Sequence, residues 1–191
     1  MTSVTIFGSG NMGTAIDGVL TAGGADVEHI GSADTNATVA GDIVILAVPY
    51  PALEGIVASY GPQLAGKTVV DISNPLNFET FDSLTVPADS SAAAELAAAL
   101  PSSKVVKAFN TTFAASLGAK EVGPNRTTVL IAGDDADAKA ALAAAISAGG
   151  VDAIDAGSLS RARELEAVGF LQLTLAVGEK IGWTGGFGIV R

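Results

Sequence analysis

The chain has 191 residues, of which 49% are hydrophobic, so it is long enough to bury one full core. Its formal net charge of −10 argues against nucleic acid and anionic membrane surfaces as partners, because both are themselves negatively charged. No apolar run reaches the roughly 18 residues of a membrane span, no basic leader follows Met1, and the chain has no cysteine. We therefore expect a single cytoplasmic domain over residues 1–191.

Short runs of β-branched residues alternate with alanine-rich helical runs, a pattern typical of a parallel sheet covered on both faces. The sequence thus predicts an α/β domain of the Rossmann type, doubly wound and mostly parallel, with a long buried C-terminal helix. The expected strands are 4–7, 27–30, 42–48, 68–72, 104–109, 127–132, 151–154 and 187–190. The expected helices are 14–20, 51–60, 91–100 capped by Ser90, 136–148 capped by residues 133–135, and a last helix from Ser158 or Ser160 to Lys180.

A G-x-G-x-x-G turn, residues 8–13, joins the first strand to the first helix. In this order Gly8 allows the tight turn, Gly10 lets a pyrophosphate approach the backbone, and Gly13 lets the helix lie close to the strand. The helix N-terminus then offers free N–H groups to the phosphates. The pattern predicts a dinucleotide site; the alternative is a plain glycine-rich turn in a chain with 23 glycines.

The segment between the second and third strands, residues 31–41, is too short to hold a full helix. We therefore expect a trimmed crossover and an open site at the adenosine end. An NAD site usually places an acid about 20 residues after the glycines, where it binds the ribose 2′-hydroxyl. Here the strand ends in Ile30-Gly31-Ser32-Ala33, which favours NADP over NAD. The Ser32 hydroxyl could donate a hydrogen bond to the 2′-phosphate. Glu28 and Asp34 are the nearby acids that could reverse this preference.

Three further strand ends carry prolines and polar side chains, in the segments 47–50, 72–76 and 108–112. Ligands of open α/β sheets bind at the carboxyl ends of the strands, so these segments are expected to face the ribose and the nicotinamide. The alternative is that proline and asparagine merely end the strands. His29, the only histidine, is expected to be a structural residue with its hydrogen bonds satisfied.

The same strand ends show no His, Cys, Lys or paired carboxylate in the pattern of a general acid or base, and we expect no metal site. An alcohol dehydrogenase needs such a group, because the hydroxyl proton must move with the hydride. Hydride transfer between two rings mostly needs stacking and exclusion of water. The apolar residues 47–49 would suit that task.

Several motifs carry a family resemblance: residues 8–13, 47–49, 71–75, 107–111, 132–135 and 155–159, the last followed by 161–166. Together they resemble the NADP-dependent oxidoreductases related to the deazaflavin (coenzyme F420) reductases, and the resemblance runs from the first strand to Ile189. It implies a single domain, usually a homodimer, that passes a hydride between NADPH and a small redox acceptor bound over the nicotinamide.

By position, the resemblance places Ser9, Asn11 and Met12 on the pyrophosphate turn and Ser32 at the 2′-phosphate. It also implies that Val48, Pro49, Asn74 and Asn110 face the nicotinamide. Ala33 stands where the family often has a basic residue, and the short crossover leaves open an acceptor other than deazaflavin. The candidate cofactor-binding residues are Gly8, Ser9, Gly10, Asn11, Met12, Gly13, Gly31, Ser32, Ala47, Val48, Pro49, Tyr50, Asn74, Pro75, Phe109 and Asn110.

Two other classes stay open: a reductase of a small carbonyl or imine, and a non-catalytic nucleotide sensor. The carbonyl and imine reductases usually carry a helical substrate domain, whereas only 36 residues follow Asp155 here. The last helix has apolar residues on nearly all sides, and Gly169 and Gly178 would permit close approach of another backbone. We therefore predict an isologous homodimer; the alternative is that Trp183, Phe187 and the final strand cover the second face.

Overall fold

The computed structural model describes residues 2–190, in which a seven-stranded sheet is flanked by helices on both faces. The strands are β1 Ser3–Phe7, β2 Asp26–Ile30, β3 Ile43–Leu46, β4 Thr68–Asp71, β5 Lys104–Lys107, β6 Glu121–Val122, β7 Asn125–Arg126, β8 Thr128–Gly133 and β9 Asp152–Gly157. The α-helices are α1 Asn11–Ala22, α2 Leu53–Leu64, α3 Ala92–Ala99, α4 Ala114–Ala119, α5 Ala136–Ala148 and α6 Ala162–Val177. Short 3₁₀ turns, Tyr50–Ala52 and Leu159–Arg161, precede α2 and α6.

The sheet has the order β2-β1-β3-β4-β5-β8-β9, and all neighbours are parallel except β5 and β8. The direction in which strands are added reverses after β2, between β1 and β3, and the loops that follow the parallel strands β1 to β5 lie at the same edge of the sheet. That crevice is where open α/β sheets bind ligands. The central strands β1, β3 and β4 are buried on both sides, by one apolar cluster around Ile6 and Ile45 and another around Leu46 and Val69. The expected mostly parallel Rossmann-type fold is confirmed.

Two local expectations are confirmed and one is wrong. Helix α5 has the expected bounds, and its cap Asp135 accepts the Ala138 N–H at 2.8 Å. The crossover between β2 and β3 contains turns and no helix. Helix α3 is capped by Ser91 rather than Ser90, because the Ser91 hydroxyl accepts the Ala94 N–H at 3.0 Å.

The C-terminal region differs most from the expectations. Helix α6 begins at Ala162 after a 3₁₀ turn, and the hydroxyls of Ser158 and Ser160 bond to each other rather than capping it. The predicted final strand is wrong: residues 187–190 form no strand. Helix α4 and the β6–β7 hairpin were not expected.

Helix α6 is buried on one side only. Leu165, Gly169 and Gln172 are buried, while Leu171 remains 51% exposed and Val177 45% exposed. Within residues 2–190 no helix is both long and apolar enough to cross a membrane.

Candidate dinucleotide site

The three glycines of the turn meet different surroundings. Gly8 has a φ of +102°, and a Cβ at this position would lie 2.5 Å from the Ala47 carbonyl oxygen. A Cβ on Gly13 would lie 2.7 Å from the Gly8 carbonyl oxygen, in the contact that seats α1 on the turn. Gly8 and Gly13 are therefore required by the packing of the protein itself. Ala47 packs against both of them.

Gly10 is different, because a Cβ there would meet nothing within 4 Å. Gly10 is the N-cap of α1; it has no side chain to bond the free N–H groups, and the first turn holds no acid. Ser9, Gly10 and Asn11 are exposed. The open space and the uncapped helix start fit an anionic group such as a pyrophosphate.

One cavity, of about 380 Å³, lies beside the turn at the end of β2. Its polar lining includes Ser32, Thr35 and Ser59, and Tyr60 and Val48 add apolar walls. Apart from Asp34, this lining carries no charged side chain within the described residues 2–190. The cavity lies at the carboxyl end of β2, where dinucleotide-binding folds usually hold the adenosine ribose.

The two acids near this cavity are both engaged by the protein. Glu28 accepts the Thr5 hydroxyl at 2.7 Å and the Ala40 N–H at 3.1 Å, so it holds the crossover. Asp34 accepts the Gly31 N–H at 2.8 Å, and its carbonyl oxygen accepts the Tyr60 hydroxyl.

His29 is satisfied, as expected. Its Nδ1 lies 2.9 Å from the Gly8 carbonyl oxygen and its Nε2 lies 3.1 Å from Asp17 Oδ2.

A second cavity, of about 390 Å³, lies on the other side of the α1 start. It is lined by Asn11, Met12, Ile72, Asn74, Phe109, Asn110, Thr112, Phe113, Ala114, Ala115, Leu173 and Trp183, none of which is a titratable group. It therefore offers hydrogen bonds and apolar contacts but no acid or base.

An asparagine pair forms the polar part of this cavity. Asn74 Nδ2 donates to the Asn110 carbonyl at 3.0 Å, and Asn110 Nδ2 donates to Asn74 Oδ1 at 2.9 Å and to the Leu165 carbonyl at 2.9 Å. These two acceptors define the orientation of the Asn110 amide. They leave Asn110 Oδ1 buried without a hydrogen-bond partner, as an acceptor that a ligand N–H could satisfy.

Helix α6 passes directly over the pair at Gly169, where a Cβ would lie 2.3 Å from Asn74 Oδ1. The expectation that Gly169 serves contact with a second chain is therefore wrong, because the close approach is used within one chain. A Cβ on Gly178 would meet only its own helix and Lys180 within 4 Å.

A buried charged cluster lies beneath the asparagines. Lys107 Nζ lies 2.8 Å from Asp71 Oδ2 and 2.9 Å from Glu166 Oε1, and it donates to the Ser73 carbonyl at 2.5 Å. The side chains of Lys107 and Asp71 are fully buried. Glu166 also accepts the Ala92 N–H at 3.0 Å at the start of α3. Burial raises the pKa of the Glu166 carboxyl, although the Lys107 ammonium opposes this effect.

The expectation for these strand ends concerned only a general acid or base, and it did not foresee a buried ion cluster beneath them. Asp71 and Lys107 are register partners on β4 and β5, and Glu166 reaches them from α6. They do not line either cavity within the described residues. The cluster ties β4, β5, α3 and α6 together and holds the loop that carries Asn74. A lysine inside an otherwise apolar strand was the sequence signal that could have revealed it.

The structure brings most of the candidate residues to the two cavities and the turn between them, but not all. The Tyr50 hydroxyl donates to Glu95 at 2.5 Å in a separate groove between α2 and α3, and this bond, with burial, raises the pKa of Tyr50 to about 12. Pro75 is buried, and its carbonyl accepts Thr85. Pro49 is exposed and precedes the 3₁₀ turn as its N-cap. Phe113, Leu173 and Trp183, absent from the expected set, line the second cavity.

Comparison with known proteins identifies relatives of this chain. The family of coenzyme F420-dependent NADP oxidoreductases matches over residues 25–75. An F420-dependent NADP reductase from Methanocaldococcus jannaschii is 34% identical over 166 residues, which cover 85% of this chain and 74% of that protein. The metalloreductase STEAP3 from Rattus norvegicus is 41% identical over 110 residues, covering 58% of this chain and 21% of that protein.

Among solved structures, a proposed F420-dependent NADP-reductase from Arthrobacter sp. FB24 superposes with a TM-score of 0.80 at 26% identity. The match covers 98% of this chain and 99% of the other. The Methanocaldococcus relative extends the likeness well beyond the matched segment 25–75, to 85% of this chain. The chain therefore belongs to the family of coenzyme F420-dependent NADP oxidoreductases, and with it to the NADP-dependent oxidoreductases.

Proposed function

We propose that this protein transfers a hydride between NADPH, held across the glycine turn, and a small ring-shaped acceptor bound in the second cavity. The open space at Gly10, between an adenosine-sized cavity and a neutral cavity, carries this proposal. A dinucleotide laid across this point would have its pyrophosphate at the uncapped start of α1. Its nicotinamide would reach the asparagine pair.

At the adenosine end, the proposal assigns the 2′-phosphate to hydroxyl donors. Ser32, Thr35 and Ser59 line that cavity, and no Lys or Arg does so within the described residues. A phosphate held by neutral donors alone binds more weakly than one paired with a guanidinium. We expect NADPH to bind more tightly than NADH, but by a modest factor.

At the nicotinamide end, the roles follow from the asparagine pair. When bound, NADPH supplies a hydride from C4 of its dihydronicotinamide ring. Asn110 Oδ1 accepts the carboxamide N–H and so orients the ring, while Asn74 holds the Asn110 backbone. Met12 and Phe109 provide apolar contacts that exclude water.

The acceptor class follows from the absence of titratable side chains in this lining. Reduction of a carbonyl or imine needs a proton donor beside the reacting atom. A conjugated ring such as a deazaflavin, flavin or quinone takes the hydride with its two electrons and spreads the resulting negative charge. Its remaining proton then comes from water, so no protein acid is required.

The assembly is part of the proposal. Val168, Leu171 and Val177 leave an exposed apolar strip on α6, which we assign to an isologous homodimer contact. Sedimentation at micromolar concentration tests it: a dimer is expected, and a soluble monomer would contradict it. A cytoplasmic location stays a prediction, which cell fractionation would test.

Steady-state NADPH oxidation with 5-deazariboflavin, riboflavin and menadione, alongside a ketone and a cyclic imine, tests the proposed reaction. Turnover is expected with the rings only. Turnover confined to the ketone or imine would contradict the acceptor class. Tight NADPH binding without turnover on any compound would contradict the enzyme and favour a sensor.

A further inference from the structure

The C-terminal segment 178–190 has no regular structure, yet hydrogen bonds hold it against the body of the domain. The Ser116 hydroxyl of α4 lies 3.1 Å from the Thr184 carbonyl and 2.9 Å from the Gly185 carbonyl. Farther along, the Phe187 N–H donates to Gln172 Oε1 of α6 at 3.2 Å. Ser116 and Gln172 are both buried, so the segment is attached to fixed points on two helices.

These bonds place one aromatic ring at the mouth of the second cavity. Trp183 lies against Phe113, with ring centroids 5.0 Å apart and planes at 55°. Phe113 is buried, whereas Trp183 is 53% exposed, so the pair has one supported ring and one open ring surface. Both rings line the cavity that also holds the asparagine pair. Stacking of another flat ring on the exposed face of this fixed indole would be favourable, because it buries apolar surface on both rings.

We propose that Trp183, supported by Phe113 and carried by the segment 178–190, is the stacking surface for the acceptor ring and determines acceptor specificity. This inference rests on the proposed hydride transfer but concerns the acceptor alone. The ligand class is a flat, uncharged, conjugated ring system, because the lining has aromatic and amide groups and, among residues 2–190, no charged side chain. Trp183 lines the second cavity and not the adenosine cavity, so it lies away from the turn and the adenosine cavity that hold most of NADPH, and its main contribution is to acceptor binding.

Riboflavin is a suitable probe, since its ring is flat and uncharged and its fluorescence reports stacking directly. We would measure riboflavin binding by fluorescence titration, with and without NADP⁺, for the wild type, Trp183→Phe and Trp183→Ala. Removal of a stacking ring is expected to weaken binding about tenfold in Trp183→Ala, and only a few-fold in Trp183→Phe. NADPH binding should fall much less than riboflavin binding in both variants, because the turn and the adenosine cavity are unaltered. Phe78→Ala is the matched control, because Phe78 is 57% exposed but lines neither cavity, and it should bind riboflavin normally.

Unchanged riboflavin binding in Trp183→Ala, or no binding to the wild type, would overturn the inference. Should the alanine variant fail to fold, Trp183→Leu keeps the apolar volume without the aromatic ring and is expected to show the same loss. Riboflavin that binds through Trp183 but never oxidises NADPH would contradict the proposed reaction and leave the stacking surface standing. Normal acceptor turnover in the tryptophan variants would contradict the stacking surface and leave the proposed reaction standing.

Discussion

The two ends of the crevice are built differently. At the end that we propose for the nicotinamide, the asparagine pair is fixed by a hydrogen bond to the Leu165 carbonyl, by close contact with Gly169, and by the loop tied to Lys107. At the adenosine end, hydroxyl side chains surround an open cavity, and the crossover beside it has no helix. The end that we propose for the reaction is therefore rigidly positioned, whereas the end that we propose to distinguish NADP from NAD is only lightly specified.

The largest expected effect tests the rigid end. Replacing Lys107 with Met leaves Asp71 and Glu166 buried without their shared cation, which should lower the free energy of unfolding by about 3–5 kcal/mol. Chemical denaturation would measure this. The matched control is Lys139→Met, whose partner Asp155 is largely exposed, and a loss below about 1 kcal/mol is expected there. Equal losses in both variants would show that the cluster does not fix this end.

Gly10→Val tests the point where the two ends meet. The side chain enters space that the protein leaves open, so the fold should survive while NADPH binding falls on the order of 100-fold, or about 2.8 kcal/mol. Isothermal titration and thermal unfolding separate the two effects.

Two glycines of α1 serve as controls for that variant. Gly18→Val also meets open space but lies away from the turn, so both fold and binding should persist. Gly13→Val should damage the fold itself, because its Cβ would overlap the Gly8 carbonyl. Normal NADPH binding by Gly10→Val would mean that the turn is only structural.

Ala33→Arg sharpens the contrast at the open end. A guanidinium beside Ser32 should raise the preference for NADPH over NADH about fivefold, close to 1 kcal/mol, since the site is exposed to solvent. The gain should shrink as salt rises. Ala33→Gln is the uncharged control. An unchanged preference in the arginine variant would place the 2′-phosphate elsewhere.

The smallest effect concerns the titration of Glu166. Its pKa is raised in the folded protein, so the folded state holds the proton at pH values where the unfolded state, near 4.5, has already lost it. The contribution of Glu166 to stability is therefore greatest below that value and decreases as pH rises through the folded pKa. Unfolding measured between pH 4 and 7 should show this decrease in the wild type but not in Glu166→Gln. Exposed Glu164→Gln is the control, and loss of the pH dependence in that variant instead would contradict the assignment.

Much of the fold was predictable because it depends on local signals. The glycine turn, the alternation of strands and helices, and the bounds of α5 follow from turn residues, periodicity and a capping aspartate. The crossover without a helix followed from its length alone. Helix α4 escaped prediction because it is only six residues long and contains a glycine.

The rest of the site depends on contacts that are distant in sequence. Glu166 reaches Lys107 from 59 positions away, and Gly169 approaches Asn74 across the sheet edge. Trp183 is positioned by a segment without regular structure, which Ser116 and Gln172 hold through hydrogen bonds. No spacing rule connects such residues. Tyr50 was misplaced for a related reason: its position after β3 was predictable, but the direction of its ring was determined by Glu95 on α3.

We propose above all that a hydride passes directly from the nicotinamide to an acceptor ring bound beside it in the second cavity. The most direct measurement uses NADPH deuterated on one or the other face of C4, with 5-deazariboflavin as acceptor, followed by mass spectrometry. Carbon 5 of that ring keeps the transferred atom, so the account predicts one deuterium in the reduced ring from one labelled face and none from the other. A reduced ring that carries only solvent hydrogen, or equal transfer from both faces, would contradict direct transfer between fixed rings.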